Sequence, residues 1–382
     1  MHNHSLPSFP PDHTRFILCA TDAGGIRNIA PLIPVCYRRG IRIVLITYRN
    51  RIALFGDLIA NVTKTIFVDG FVEDQLRDLI KDIRPDAVIS GTTRFFSPDR
   101  ILILLARAVG IRTVVVFDEW FNYGYRFRCP DTKKLVYLPD AIALQDKKAE
   151  EEAVAEGIPK EICHITGSPA LAELTEKANE MLCFPPDVPD VLKAIDGRPI
   201  ITFISETHAS DYGTNIESPG PLGPFIGYTE ETVLESIINV LERLRTPVVL
   251  VEKLHPSADI QPPPRSIPGN VDVRSVQATD LWLLLWYSDI VIGMRSMALL
   301  EANILGCNAV SFQPGLIGPD WCSAVRLDLL PKLAREDEMI SWLTFQLDSN
   351  KKKKERIILR HPFAPEDAAD SVVELALNKK EF

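Results

Sequence analysis

Short apolar runs rich in Val, Ile and Leu recur along the chain, each followed by residues with helical spacing of apolar positions. In the first half these runs are RFILCAT (15–21), IRIVLIT (41–47), KTIFVD (64–69), DAVISGT (86–92), RTVVVFD (112–118), AIALQD (141–146) and ICHITGS (162–168). Runs that are apolar throughout, rather than alternating, mark strands covered on both faces, and helices between them mark parallel βα units. The pattern breaks at CFPPDVPDVLKAIDGRP (183–199), which is Pro-rich and weakly periodic, as interdomain connections are. It restarts with PIITFIS (199–205), PVVLVEKLH (247–255), VDVRSV (271–276), DIVIG (289–293) and NAVSF (308–312). The reading is an α/β chain of two Rossmann-like doubly wound domains facing across a cleft. Their bounds are 14–182 and 199–382, with a linker at 183–198 and a last helix that is a candidate to cross back to the first domain.

Two connections exceed an ordinary βα turn: EWFNYGYRFRCPDTKKL (119–135) and ETHASDYGTNIESPGPLGPFIGY (206–228). Both leave the C-terminal end of a strand, where doubly wound sheets bind ligands, and long ordered loops there are functional more often than not. Asn122, Tyr123, Arg126, Glu206 and His208 are their candidate contacts to an acceptor or substrate.

Four segments carry side chains suited to chemistry. TDAGG (21–25) offers Gly24 and Gly25 for close backbone approach and Asp22 as a base or a helix cap. FDEWFNYGYRF (117–127) places Asp118 and Glu119 beside aromatics, which raise a carboxyl's pKa and suit it to general-base work; the bland alternative is an Asp–Arg structural bridge. EKLHPSAD (252–259) ends a strand on Lys253 and His255, well placed to meet a phosphate. The stretch SDIVIGMRSMALLEANILG (288–306) predicts a strand to Gly293, a turn containing Arg295, and a helix from Ser296 through Met297 that presents backbone N–H groups to an anion. Glu301, an acid among apolar neighbours in that helix, is placed to accept from the hydroxyls of a ribose.

Composition narrows the classes. At 382 residues, 46% hydrophobic and 24% charged, the chain can bury two cores. A net charge of −9 argues against a broad nucleic-acid surface. Seven scattered cysteines with no CxxC pair read as thiols of a reducing compartment. The polar, Pro-rich opening MHNHSLPSFPPDHT is unlike a signal peptide, and no apolar run reaches a membrane span, so a cytoplasmic protein is expected. KKKKER (351–356) allows at most peripheral membrane contact. His2, His4 and His13 lack partner residues for a metal, and no HExxH, GxSxG or GK[ST] motif occurs, so neither metal nor cofactor is expected.

TGSPALAEL (166–174), EKLHPSAD (252–259) and SDIVIGMRSMALLEANILGCNAVSFQPG (288–315) together resemble the GT-B superfamily of nucleotide-sugar enzymes, which holds glycosyltransferases and UDP-N-acetylglucosamine 2-epimerases. The resemblance spans residues 15–380 in element order and is most specific in the second half. It implies that Ser296 and neighbouring amides meet donor phosphate, that Glu301 binds ribose, and that His255 matches the family's HP histidine. It also puts Asp118 and Glu119 where several branches keep a catalytic acid. The turn ATDAGG replaces the epimerases' G-T-R-P-E, SGTTR (90–94) lacks the Asp of their G-D-T turn, and FDEWFNYGYRF replaces H-x-E-A-G-x-R. ETHAS (206–210) is similar to their T-x-H-R segment. These departures favour a metal-independent glycosyltransferase of surface-polysaccharide or glycoconjugate assembly. A nucleotide-sugar 2-epimerase or hydrolase is the alternative, and a non-catalytic nucleotide-sugar-binding protein the second. The implied partners are a nucleotide sugar, a carbohydrate or lipid-linked acceptor, and a second copy of the chain as a homodimer.

Overall fold

A computed structural model of the chain describes residues 13–69, 73–93, 97–258, 266–350 and 356–378. His2, His4, Arg94, Asp259 and the lysine run at 351–354 lie outside the described residues. The chain divides into two compact units, Met1–Glu176 with His361–Phe382, and Lys177–Arg360. Residues 183–198 belong to the second unit, where Leu192 is buried against Ile200 and Val249.

Unit 1 comprises β1 (Arg15–Cys19), α1 (Ala23–Ile29), α2 (Leu32–Arg38), β2 (Arg42–Thr47), β3 (Lys64–Phe67), α3 (Glu73–Ile83), β4 (Ala87–Ser90), α4 (Pro98–Ala108), β5 (Arg112–Val116), β6 (Ala141–Leu144), α5 (Lys147–Ala155) and β7 (Cys163–Ile165). Then α6 (Pro169–Cys183) runs on into unit 2. The sheet order is β3-β2-β1-β4-β5-β6-β7, all parallel. Strand side chains alternate between two covered faces, which is why the runs read as apolar throughout. Phe16, Leu18, Ile43, Leu45 and Ile89 pack on α1 and α2, while Ile17, Cys19, Val44, Ile46 and Val88 pack on α3 and α4. The first helical stretch is split in two, since Pro31 stands at its break with no N–H to continue the ladder. After β2 a 3₁₀ segment, Arg49–Asn61, replaces the predicted helix and kinks at Gly56 (φ 52°).

Unit 2 comprises β8 (Ile200–Ile204), α7 (His208–Tyr212), β9 (Gly213–Asn215), β10 (Ser218–Pro219), α8 (Glu230–Leu244), β11 (Val248–Lys253), β12 (Val271–Val276), α9 (Leu281–Tyr287), β13 (Ile290–Gly293), α10 (Ala298–Ile304), β14 (Asn308–Phe312), α11 (Ser323–Arg326), β15 (Lys332–Leu333) and α12 (Glu336–Asn350). Its main sheet is also parallel, ordered β12-β11-β8-β13-β14-β15. Phe203, Leu250, Ile292 and Phe312 face α8 and α12, whose Leu234, Ile237, Met339 and Leu343 fill the layer. A reciprocal Thr229–Thr232 capping box fixes where α8 starts. The chain ends in α13 (Ala368–Leu377), which packs in unit 1 with Val372 and Val373 in the core and Asp370 at 2.7 Å from Arg39. Among the described residues, no helix is long and apolar enough to cross a membrane. All seven cysteines are free thiols.

Each sheet reverses its strand order once, between β1 and β4 in unit 1 and between β8 and β13 in unit 2. At such a switch point the flanking helices leave on opposite faces and open a crevice at the strands' C-terminal ends. Asp22 and Thr92 follow β1 and β4; Glu206 and Arg295 follow β8 and β13.

Candidate functional site

In unit 1 the switch point holds a cluster of carboxylates around one buried arginine. Asp22 caps α1, its Oδ1 accepting the Gly25 N–H at 2.7 Å. Gly24 is needed because a Cβ there would stand 2.4 Å from Asp118 Oδ2. A Cβ on Gly91 would meet the Gly25 Cα at 2.8 Å, so the turns after β1 and β4 touch backbone to backbone. Asp118 Oδ1 accepts from Arg126 Nη1 at 2.6 Å and from Thr92 Oγ1 at 3.2 Å. Arg126 Nη2 pairs closely with Glu119, and its guanidinium lies 4.6 Å over the Phe117 ring. The arginine side chain is 2% exposed, so both acids are held by a charge that water barely screens.

Burial pushes the Asp22 carboxyl up, the neighbouring Asp118 charge pushes it further, and the Gly25 N–H and Arg126 only partly offset them; it reaches about 7. Near neutral pH Asp22 is therefore poised between its two protonation states, beside a second carboxyl group anchored by Arg126. Asp99, buried at the start of α4, is likewise raised by burial, with hydrogen bonds from Ser97 and Thr93 opposing.

The loop after β5 folds inward. Trp120 is fully buried and donates to Asp146 at 2.8 Å. Tyr123, read from sequence as an acceptor contact, is also fully buried and stacks on Phe117 at 4.7 Å. It forms the wall behind Arg126 rather than a surface. Asn122 takes a left-handed turn (φ 59°) that carries the chain inward. Gln145 donates both amide hydrogens, to the carbonyls of Phe117 (3.0 Å) and Glu119 (3.2 Å), and so brackets Asp118. Gln145, Thr92 and Asp99 escaped the sequence reading; polar residues closing apolar runs at 90–92 and 145–146 were the available signal.

In unit 2 the turn after β13 is held from the end of β8. Glu206 Oε1 accepts the amides of Arg295 (2.8 Å) and Ser296 (3.1 Å), and Oε2 lies 3.2 Å from His208 Nε2. Burial alone would raise this carboxyl; His208, Arg295 and the amide overcome it and hold the group at about 2. The Ser296 hydroxyl accepts the Ala298 N–H at 3.2 Å, so α10 begins at Ala298, two residues later than the pattern predicts, with Met297 at its cap position. The amides assigned to phosphate at this turn thus already hold a carboxylate. Gly293 leaves room for Leu299, whose side chain would lie 3.1–3.3 Å from an added Cβ. Glu301 is 4% exposed and its Oε2 accepts from Trp282 Nε1 at 2.9 Å.

Lys253 closes β11 and donates to the Gln277 carbonyl, while Gln277 Nε2 donates to the carbonyls of His255 (2.9 Å) and Ala258 (3.0 Å). His255 is half-buried, its Nδ1 accepting the Ser257 N–H at 3.2 Å. Gln277 fixes this strand end and was not singled out from sequence. Among the described residues, no group of three or more His, Cys, Asp or Glu is arranged to hold a metal ion.

No protein-family model and no curated protein matches the sequence. The fold does match solved structures. The UDP-GlcNAc 2-epimerase of Neisseria meningitidis, solved with UDP-GlcNAc, superposes with a TM-score of 0.65 at 13% identity, over 95% of this chain and 100% of that one. The UDP-GlcNAc 2-epimerase of Methanocaldococcus jannaschii, in complex with UDP-GlcNAc and UDP, gives 0.65 at 11% identity over 95% and 99%. A glycotransferase of kitacinnamycin gives 0.56 at 12% identity over 96% and 95%. The chain has the two-Rossmann-domain GT-B fold these enzymes share.

Proposed function

We propose that this chain is an enzyme that breaks the anomeric C1–O bond of a nucleotide sugar and passes the sugar to an acceptor hydroxyl. The observation that carries the reading is the Asp22–Asp118 pair at the switch point of unit 1, with Asp22 raised to about 7 and Asp118 anchored by Arg126. An acid or base near neutrality is what proton transfer at a reacting hydroxyl requires. The acceptor O–H gives its proton to the ionised form of Asp22 as its oxygen bonds to C1; the C1–O bond to phosphate breaks and its electron pair leaves with the nucleotide. Unit 2 carries the nucleotide side of the chemistry, with Lys253 and His255 at the end of β11, the 293–297 turn, and Glu301 toward the ribose. In this reading side-chain cations, not a metal ion, balance the leaving phosphate.

A second reading, 2-epimerisation, is favoured by the epimerases among the similar structures. In this reading the same pair of carboxyl groups removes a proton at C2 and returns one to the opposite face. Proton NMR of UDP-, GDP-, CMP- and CDP-linked sugars with the protein separates the two. A transferase releases nucleotide faster when carbohydrate or lipid-linked acceptors are added. An epimerase produces a second anomeric signal, and deuterium at C2 in D₂O, with no acceptor. Affinity without turnover in any mixture identifies a binding protein and contradicts both.

A further inference from the structure

The β5–β6 register runs from Val114 to Val116, and beyond it the Phe117 N–H still reaches the Ala143 carbonyl at 3.0 Å. Past that point side chains take over from the ladder. Gln145, the residue after β6, donates from Nε2 to the carbonyls of Phe117 (3.0 Å) and Glu119 (3.2 Å), and Asp146 accepts the Trp120 indole N–H at 2.8 Å. A neutral side chain thus holds the main chain on either side of Asp118. Chemistry fixes the orientation of its amide, because the turned-over group would set Oε1 against two carbonyl oxygens. Gln145 is 1% exposed, and its Oε1 is buried and meets no donor among the described residues. An unpaired buried oxygen is costly, so what this residue contributes is its two donors. The carboxylate end of Asp118 is fixed separately. Oδ1 accepts from Arg126 and Thr92, and Oδ2 lies against Gly24, where a Cβ would come within 2.4 Å of it.

We infer that Gln145 is a positioning residue for Asp118, which acts through the main chain and keeps the Asp118 carboxyl at its separation from Asp22. Arg126 supplies the charge that holds this acid, and Gln145 sets its place. Asp118 already lies against the turn that Asp22 caps, so a carboxyl released by loss of Gln145 can only recede or rotate about Arg126. A reacting group displaced by about 1 Å loses on the order of a hundredfold in rate. Asp22 is faced by Asp118 and Arg126 from the segment after β5, by Asp99 at the start of α4, and by Cys19 from its own strand. Gln145 is bonded to the main chain around the first of these. The inference rests on the proposed reaction only for what the two acids do with a substrate; the positioning concerns the acids themselves.

Carboxyl ¹³C NMR titration of the full chain reads this without a substrate, with Asp22→Asn and Asp118→Asn assigning the two signals. Gln145→Met keeps the side chain's length and removes both donors. Its Asp22 midpoint is expected to fall by roughly half a pH unit or more, because a receding Asp118 raises it less. A residue that only stabilised the fold would lower the melting temperature and leave that midpoint where it was. Gln145→Asn is one methylene shorter, keeps at most one of the two bonds, and is expected to show a smaller fall; it decides if Gln145→Met does not fold. On whichever nucleotide sugar the wild-type chain converts, Gln145→Met is expected to lose roughly tenfold to a hundredfold in kcat with KM held within about twofold. An Asp22 midpoint at or above the wild-type value in the folded variant, or a raised KM at unchanged kcat, overturns the inference. A midpoint that falls while kcat holds supports the positioning and contradicts the part given to the carboxyl pair in the reaction. A wild-type chain that converts no nucleotide sugar sinks the proposed reaction and leaves the titration to decide on Gln145.

Discussion

Asp22→Asn turns the carboxylate cluster of unit 1 into a measurable pH effect. The wild-type carboxyl is raised from an ordinary 3.8 to about 7 by burial and by Asp118. Between those values the folded chain holds a proton that the unfolded chain has lost, so stability falls as pH rises and the full penalty is present above 7. At 1.36 kcal/mol per pH unit the penalty is about 4 kcal/mol at pH 8 and about 1.5–2 kcal/mol at pH 5. Asparagine cannot ionise, yet its side-chain oxygen can still accept the Gly25 N–H that caps α1. The variant should therefore be more stable than wild type at both values, with an advantage about 2.5 kcal/mol larger at pH 8. Urea unfolding at the two pH values measures this, and other carboxylates cancel in the difference between the proteins. A gain independent of pH, or a loss of stability at pH 8, would refute the assignment of the raised pKa to Asp22. The same variant should lose turnover, a case of stability set against function.

Three further substitutions probe neighbouring contacts. Arg126→Met strips Asp118 and Glu119 of their buried counter-charge and should destabilise unit 1 by about 3–5 kcal/mol, which thermal and urea melts check. Gly24→Ala places a methyl 2.4 Å from Asp118 Oδ2, so turnover should fall at least about tenfold through one displaced carboxylate, which a nucleotide-release assay checks. Glu206→Gln removes a carboxylate held at about 2 rather than 4.5, whose stabilisation is present above pH 4.5 and lost as pH falls toward 2. Melts should show the variant less stable by up to about 3 kcal/mol at pH 7 and matching wild type near pH 2.

The strand–helix alternation was legible because both main sheets are parallel and covered on each face, which writes most of their strands as apolar runs; the edge strand β12 (VDVRSV) is mixed and β15 (KL) is too short to read. Asp22, Asp118 and Arg126 were legible because strand ends of doubly wound sheets collect ligand-facing polar residues. What joins them was not. Thr92 meets Asp118 across 26 residues and Glu206 meets the Arg295 amide across 89, distances over which pattern carries no pairing information. The aromatic run at 120–127 reads as part of a functional loop, yet Trp120 and Tyr123 turn into the core through bonds and stacking that only the tertiary structure supplies. Ser296 reads as the helix start in sequence; the helix begins two residues later, at Ala298, and Glu206 holds the amides of Arg295 and Ser296 ahead of it. Glu301 lies in the helix where the pattern put it but pairs with Trp282, from a helix nineteen residues upstream.

The account's central claim is that Asp22 and Asp118 perform proton transfer on a bound nucleotide sugar. The most direct test follows UDP-, GDP-, CMP- and CDP-linked sugars by NMR with the wild-type chain and with Asp22→Asn, with and without carbohydrate acceptors. The account predicts that wild type converts at least one of them, and that the variant binds the same compound with unchanged affinity and leaves it intact. Conversion by the variant at the wild-type rate, or no conversion of any compound by the wild-type chain, would contradict it.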